Sequence, residues 1–263
     1  MTSYAITGAS RGIGLEFVRQ VAQDPANKVF AIVRDTASSA ALSELATRPN
    51  VHVIPGDLDD LASLQKAAGT VASETGGGLD VLINPAAFLV ATAADLQPSQ
   101  LTASENLDVF REMFDKSVKT NVFGAIYLTN SFLPLIEKGT QKKIVHISTA
   151  MADTDFVLES GVANAVPYSA SKAMLNGVVA KYGAELRPKD IHVVALSPGW
   201  VDTSPMPKEA LDWLTSMFRK VDPRVNGRVS AEDSVQALLK TISKLTWDMQ
   251  GKMVSQNGNR NWF

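Results

Sequence analysis

The sequence contains no cysteine, which excludes both a disulfide framework and a thiolate metal site. Histidine is almost as scarce. The three present, His52, His146 and His192, each fall inside a short apolar run, so they read as packed strand residues and no metal site is expected. Charge of one sign is missing too. With 25 basic and 27 acidic side chains the net charge is −2, too weak a field to recruit nucleic acid or an anionic membrane, and neither is expected as a partner. No apolar run is long enough to cross a bilayer, and the first residues lack the basic start and cleavage site of a secretion leader. The expected location is therefore cytoplasmic.

What is present is an ordinary globular balance, 45% hydrophobic and 20% charged over 263 residues, which suits one α/β domain spanning 1–263. Short apolar runs rich in β-branched residues recur at 4–6, 29–33, 51–54, 81–83, 144–147 and 193–196. Segments of helical period lie between them, at 15–21, 61–71, 109–135 and 173–186. Because the runs are wholly apolar rather than alternating, each strand should be covered on both faces, giving a doubly wound, mostly parallel sheet with its ligand edge at the strand carboxyl ends. Gly76-Gly77-Gly78 reads as the end of a helix before the fourth strand. Two stretches break the rhythm, 88–106 and 202–228. The second carries Pro205, Pro207 and Pro223 around the apolar Leu211, Leu214 and Phe218, so a substrate loop with its own short helix is expected over about 202–230. Phe88 and Trp200, with Met206, Trp213, Leu214, Met217 and Phe218, are candidates to line an apolar pocket there.

Between the first strand and the first helix lies Thr7-Gly8-Ala9-Ser10-Arg11-Gly12-Ile13-Gly14. Glycines at such a turn let main-chain N–H groups and the helix N-terminus approach a dinucleotide pyrophosphate; tight turns also need glycine for steric reasons alone, so the cluster carries weight only with its context. With this turn the chain resembles the short-chain dehydrogenase/reductase family, whose first turn is TGxxxGxG. The resemblance runs from Tyr4 to about Val254. It is carried further by Asp57, by Asn84, by Lys119-Thr120-Asn121, by Tyr168-Ser169-Ala170-Ser171-Lys172 and by Pro198-Gly199-Trp200-Val201-Asp202-Thr203. It implies a single-domain Rossmann fold with a seven-stranded sheet, an NAD(P)-dependent oxidoreductase, and a homodimer or homotetramer formed through the two long helices. Within the family the chain is similar to carbonyl reductases of the sniffer and C-factor type and to fungal polyketide ketoreductases.

The second strand ends at Val33-Arg34-Asp35, where this fold meets the adenosine ribose. An acid at the tip would bond the ribose 2′-hydroxyl, whereas arginine would pair with a 2′-phosphate. Register puts Arg34 at the tip, and Arg11 stands where similar family members hold that phosphate, so NADP(H) is expected rather than NAD(H). The resemblance also places Asp57, beside Leu58, on the adenine amino group; a helix cap is the alternative reading of Asp57. Asn84 matches the first residue of the family's NNAG motif, but Pro85-Ala86-Ala87 follows it, and proline removes one main-chain donor there.

Reduction of a ketone needs a hydride and a proton. Tyr168 and Lys172 are one helical turn apart on a predicted helix, and a nearby ammonium lowers a phenol's pKa. In the context of the resemblance this pair becomes the expected acid/base, Lys172 also holding the nicotinamide ribose. Asn121 is similar to the family residue that anchors a water linking the lysine to solvent. Two neighbours compete to orient the carbonyl: alignment of the strand end favours Thr149, while serine is the usual occupant and Ser148 is one step away on the opposite strand face. The interval from Thr149 to Tyr168 is longer than the family norm, and 153–166 is expected to form an extra loop. The resemblance finally implies that Pro198, Gly199 and the main chain near Val201 wrap the nicotinamide, with the Thr203 hydroxyl on cofactor phosphate or amide. The expected substrate is a small, hydrophobic ketone or aldehyde or its alcohol. A nucleotide-sensing protein without turnover is the alternative, although such relatives typically lose the tyrosine and lysine.

Overall fold

The computed structural model describes residues 1–37, 39–89 and 96–263. Strands β1 (Ser3–Thr7), β2 (Lys28–Val33), β3 (Val51–Pro55), β4 (Val81–Asn84), β5 (Lys143–Ile147), β6 (His192–Ser197) and β7 (Met253–Ser255) form one seven-stranded sheet in the order β3-β2-β1-β4-β5-β6-β7. Every neighbouring pair is parallel. Helices α1 (Gly12–Val21), α2 (Ala40–Leu45), α3 (Leu61–Thr75), α4 (Leu107–Val118), α5 (Gly124–Ile136), α6 (Thr154–Ser160), α7 (Val166–Leu186), α8 (Lys208–Val221) and α9 (Ala231–Ser243) complete the chain.

Successive strand residues point to opposite faces, and here both faces are apolar. Ala5, Phe30, Ile32, Leu82, Ile144 and Val193 pack beneath α3, α5 and α7, whose contributions include Leu64, Phe132 and Leu175. The alternate residues Ile6, Val29, Ala31, Ile83, Val145 and Leu196 pack against α1, α2 and α9 through Phe17, Leu42 and Leu238. The strand order reverses beside β1, where neighbouring connections leave toward opposite faces and open a crevice at the carboxyl ends. Among the described residues no helix is long and apolar enough to cross a membrane.

The structure departs from the expected elements at three places. The single helical period over 109–135 is two helices, α4 and α5, joined by a π-helical turn at Lys119–Phe123 that contains Asn121; such turns concentrate at functional sites. The stretch 153–166 is not a plain loop, because Asp153 caps α6 by accepting the Phe156 N–H and Gly161 ends it in left-handed geometry. The cap of α3 is Asp60, which accepts from Ala62 and Ser63, rather than Asp57. The seventh strand that the resemblance implied is β7, too short to have shown a period of its own. Of the irregular stretch 88–106, residues 90–95 lie outside the described residues. The stretch 202–228 does carry its own helix, α8.

Candidate active site

β1 delivers the chain into the glycine turn, where Gly8 and Gly12 adopt φ of 58° and 55°. A Cβ on Gly14 would lie 2.2 Å from the Gly8 carbonyl oxygen, and one on Gly8 would lie 2.9 Å from Ala86 Cα. These two positions are glycine because the protein's own main chain occupies the space. Gly12 differs: a Cβ there would meet only the Thr203 methyl, at 3.4 Å, across the mouth of the crevice. No side chain caps α1 and no acid stands in its first turn, so the N–H groups near Gly12, Ile13 and Gly14 fit an anion. Ser10 is half-buried and Arg11 exposed at the same edge.

Arg34 follows the end of β2 and is exposed. Its neighbour Asp35 accepts the Ala37 N–H at 2.9 Å, turning carboxylate oxygen into its own loop. Asp57 accepts the Asp59 N–H at 3.0 Å and its own N–H donates to Ser63 Oγ at 3.2 Å. Leu58 is buried against Gly124, where a Cβ would lie 2.7 Å from Leu58 Cβ. Sequence reasoning missed Asp59, which accepts the Thr120 hydroxyl at 2.7 Å and pairs with Lys119 at 3.6 Å, tying this strand end to the π-helical turn.

The Asn84 side chain is spent inside the protein. Its Oδ1 accepts the Thr7 hydroxyl, and its Nδ2 meets His146 Nδ1 at 3.2 Å. His146 Nε2 lies 3.2 Å from Thr129 Oγ1, which donates to the Ala125 carbonyl at 2.8 Å. Each bond in this chain is satisfied if His146 is neutral with its proton on Nε2. Burial, and then the nearby Lys172, hold His146 down at about 3, which agrees with that state. His52 stacks on Phe30 and His192 on Trp247, so all three histidines are packed as expected. Pro85 supplies no donor, but the Ala86 N–H reaches Thr7 Oγ1 at 3.4 Å.

Tyr168 and Lys172 lie one turn apart on α7. The Lys172 side chain is 2% exposed and its Nζ donates to the Ile147 carbonyl at 2.7 Å. Burial lowers its pKa to about 7. In the protein alone, burial pushes the Tyr168 phenol up to about 12, and the Thr149 hydroxyl beside it partly opposes this. Desolvation of Lys172 weakens the help that its charge alone gives the phenol. Thr149, half-buried, therefore stands on the phenol side, while Ser148 is 1% exposed and donates to Asn176 Oδ1 at 2.8 Å. Asn121 accepts the Phe88 N–H at 2.7 Å and donates to the Phe88 carbonyl at 3.1 Å and to Ser171 Oγ at 2.9 Å. Ser171 in turn donates to the Tyr168 carbonyl at 2.7 Å. The Asn121 side chain thus fastens the wall after β4 to the tyrosine helix.

After β6, Pro198 is buried and its carbonyl accepts the Ser234 hydroxyl at 2.7 Å. Gly199 turns with φ 81°, and an isolated bridge joins Val201 to Val229, the Val229 N–H donating to Trp200 and the Asp202 N–H to Val229. Alternation along an extended chain then turns the N–H and C=O of Val201 away from Val229. The Asp202–Arg228 ion pair at 2.9 Å fastens the same foot of the loop. Trp200, Trp213, Leu214, Met217 and Phe218 pack with Phe156, Trp262 and Phe263 in a third core of their own. Most of the expected pocket lining is in this way committed to packing the loop.

A glycine cradle, an uncapped helix start and a buried ammonium with a single protein acceptor fit a dinucleotide carrying a pyrophosphate and a ribose. A family model described as short chain dehydrogenase matches residues 3–214. Among curated proteins the chain is 41% identical to the short-chain dehydrogenase/reductase atnB of Arthrinium sp. and 39% identical to AacuF of Aspergillus aculeatus, each comparison covering 100% of both chains. Among solved structures it is similar to the NADPH-bound carbonyl reductase from chicken fatty liver, at 28% identity, a TM-score of 0.79 and 98% coverage of each chain. The carbonyl reductase Sniffer of Drosophila melanogaster shares the fold at 23% identity and a TM-score of 0.75, again over 98% of each. The all-parallel sheet, the glycine turn and these likenesses together place the chain in the short-chain dehydrogenase/reductase family of oxidoreductases.

Proposed function

We propose that this protein is an NADP(H)-dependent carbonyl reductase, or the alcohol dehydrogenase of the reverse direction. Tyr168 is its proton donor, Thr149 its substrate-orienting hydroxyl and Lys172 the group that holds the nicotinamide ribose. The observation that carries this reading is the Thr149 hydroxyl beside the Tyr168 phenol, with the buried Lys172 one turn along α7. Arg34 and Arg11, both exposed at the adenosine edge, support NADP(H), as does the NADPH in the chicken relative.

A bound nicotinamide would supply or take up the hydride. The protein's part is proton delivery and orientation. A phenol near 12 remains protonated throughout the neutral range, and the alkoxide formed by reduction is a much stronger base than a phenolate. Transfer from Tyr168 Oη to the carbonyl oxygen therefore runs downhill. Thr149 donates a second hydrogen bond to that oxygen as charge builds on it. The main chain of Pro198, Gly199 and Val201, with the Thr203 hydroxyl, presents one nicotinamide face to the substrate. Val109, Phe123 and Met174, exposed on α4, the π-helical turn and α7, support self-association through these long helices, and the proposed setting is the cytoplasm.

The deciding experiment is NADPH oxidation against a panel of hydrophobic ketones, with Tyr168→Phe alongside. Turnover that falls by about 10²–10⁴-fold in the variant, with NADPH binding kept, is the expected result. A wild type that binds NADPH and reduces nothing in the panel favours the sensor; full activity in Tyr168→Phe removes the assigned proton donor.

A further inference from the structure

The loop that carries α8 is held by a core separate from the two that sandwich the sheet. No buried residue of this third core belongs to either of the others. Its rings come from four places. Phe156 of α6 and Phe218 of α8 have centroids 5.7 Å apart, and Phe263 closes the triangle at 5.9 Å from Phe156 and 5.1 Å from Phe218. Trp200, next to Gly199 in the nicotinamide segment, stands edge-on to Phe218 at 5.0 Å. Ala150, next to Thr149, belongs to the same core. A shift of this cluster is thereby felt on both sides of the reacting centre.

The residues after β7 bring Phe263 there by a defined route. The Ser255 N–H donates to the Asn259 carbonyl at 2.7 Å, closing a tight turn. Arg260 then reaches across to Asp153 at 2.6 Å and Asp155 at 3.2 Å, the cap and first turn of α6. Trp262, 6% exposed, enters the core and Phe263 follows it. The feet of the loop are fastened independently by the Val201–Val229 bridge and the Asp202–Arg228 pair. These fastenings do not tie α6 to α8; the two helices meet through Phe156 and Phe218, and Phe263 packs against both rings.

We propose that Phe263, guided by Arg260, is a positioning residue that sets the α6–α8 separation and with it the size of carbonyl compound admitted beside Tyr168. The size clause rests on the carbonyl-reductase reading above; the bracing does not.

Two measurements test it on the full chain. Hydrogen–deuterium exchange reads the brace without catalysis. Phe263→Ala should speed exchange in 154–160 and 208–221 by about tenfold or more while the strands are unchanged, and Phe263→Leu should restore most of the protection. Steady-state kinetics over a monocyclic, a bicyclic and a tricyclic ketone read the size filter. In Phe263→Ala the kcat/KM ratio of tricyclic to monocyclic should rise by about tenfold, through KM rather than kcat, with NADPH affinity held within about twofold. Arg260→Gln leaves the core intact and should move both readouts the same way by about two- to threefold, an effect that added salt erases. It carries the test should Phe263→Ala fail to fold. Unchanged exchange in the two helices overturns the brace, and an equal factor across the three ketones overturns the size filter. If the wild type binds NADPH but reduces none of them, the carbonyl reading and the size filter fall together, and the exchange result alone decides whether Phe263 braces the loop.

Discussion

Lys172 Nζ donates to the Ile147 carbonyl across 2.7 Å, from the middle of α7 to the end of β5, in a site that leaves the side chain 2% exposed. The protein thus keeps an ammonium where burial alone lowers its pKa from 10.5 to about 7. Between those two values the unfolded chain binds a proton that the folded chain does not, so stability rises with pH across this window. Below about 7 both states are protonated and the full cost of burial is felt.

Lys172→Met should therefore make the protein more stable while removing its activity. The gain is expected to reach a few kcal/mol near pH 6, at about 1.4 kcal/mol per unit of displaced pKa, less about 1 kcal/mol for the Ile147 bond that is lost at every pH. It should shrink as the pH climbs from about 7 toward 10.5, above which the wild-type lysine is neutral in both states. Denaturant melts of the two proteins at several pH values check this. A gap that does not vary with pH would mean that Lys172 keeps its proton throughout.

The phenol leads to a second pH dependence. Burial holds Tyr168 at about 12 against the opposing Thr149 hydroxyl, so the proton needed for reduction is in place across the neutral range. Alcohol oxidation needs the phenolate instead, and its kcat should climb with pH by up to about tenfold per unit between roughly pH 6 and 9. Initial rates in both directions measure the contrast. An oxidation profile that levels off near pH 7 would show that the loaded site draws the phenol well below its position in the protein alone.

The adjacent hydroxyls at the end of β5 separate by one strand step. Thr149 stands beside the phenol, and Ser148 is turned into the interior toward Asn176. Thr149→Val should lower kcat by about 10- to 100-fold with little change in melting temperature. Ser148→Ala should do the opposite, retaining kcat and losing about 1 kcal/mol of stability with its buried bond. Reversed effects would exchange the two assignments.

Much of this site was legible because its signals are local. β-branched runs at 29–33 and 144–147 can be read as strands without knowing their neighbours, and Tyr168 and Lys172 share a helix face by spacing alone. Ser148 and Thr149 were not separable that way, since facing depends on where β5 ends relative to α7. The π-helical turn was invisible because apolar spacing runs on through 119–123. α6 had a legible cap and stop in Asp153 and Gly161, yet its apolar face makes sense only once Phe218 and Phe263 are beside it. Burial of the phenol and of its lysine was not legible for a related reason: sequence shows that the two are near, but not how far the fold desolvates them.

Cofactor choice rests on a similar contest of neighbouring charges. Arg34 is exposed just past β2, and one carboxylate oxygen of Asp35 beside it accepts the Ala37 N–H. A guanidinium at that tip pairs with a 2′-phosphate through charge-assisted bonds worth about 1.5–3 kcal/mol, or roughly 10- to 150-fold in affinity. NADH lacks the phosphate, and against its bare hydroxyl the same side chain contributes little. Arg34→Ala should accordingly weaken NADPH binding by about that factor and NADH binding by no more than about twofold. Because the surviving Arg11 keeps part of the attraction, the double variant with Arg11→Ala should bring the two nucleotides to nearly equal affinity, and added salt should narrow the wild-type preference in the same direction. Nucleotide fluorescence titrations read all three comparisons; equal losses for NADPH and NADH in Arg34→Ala would move the phosphate contact elsewhere.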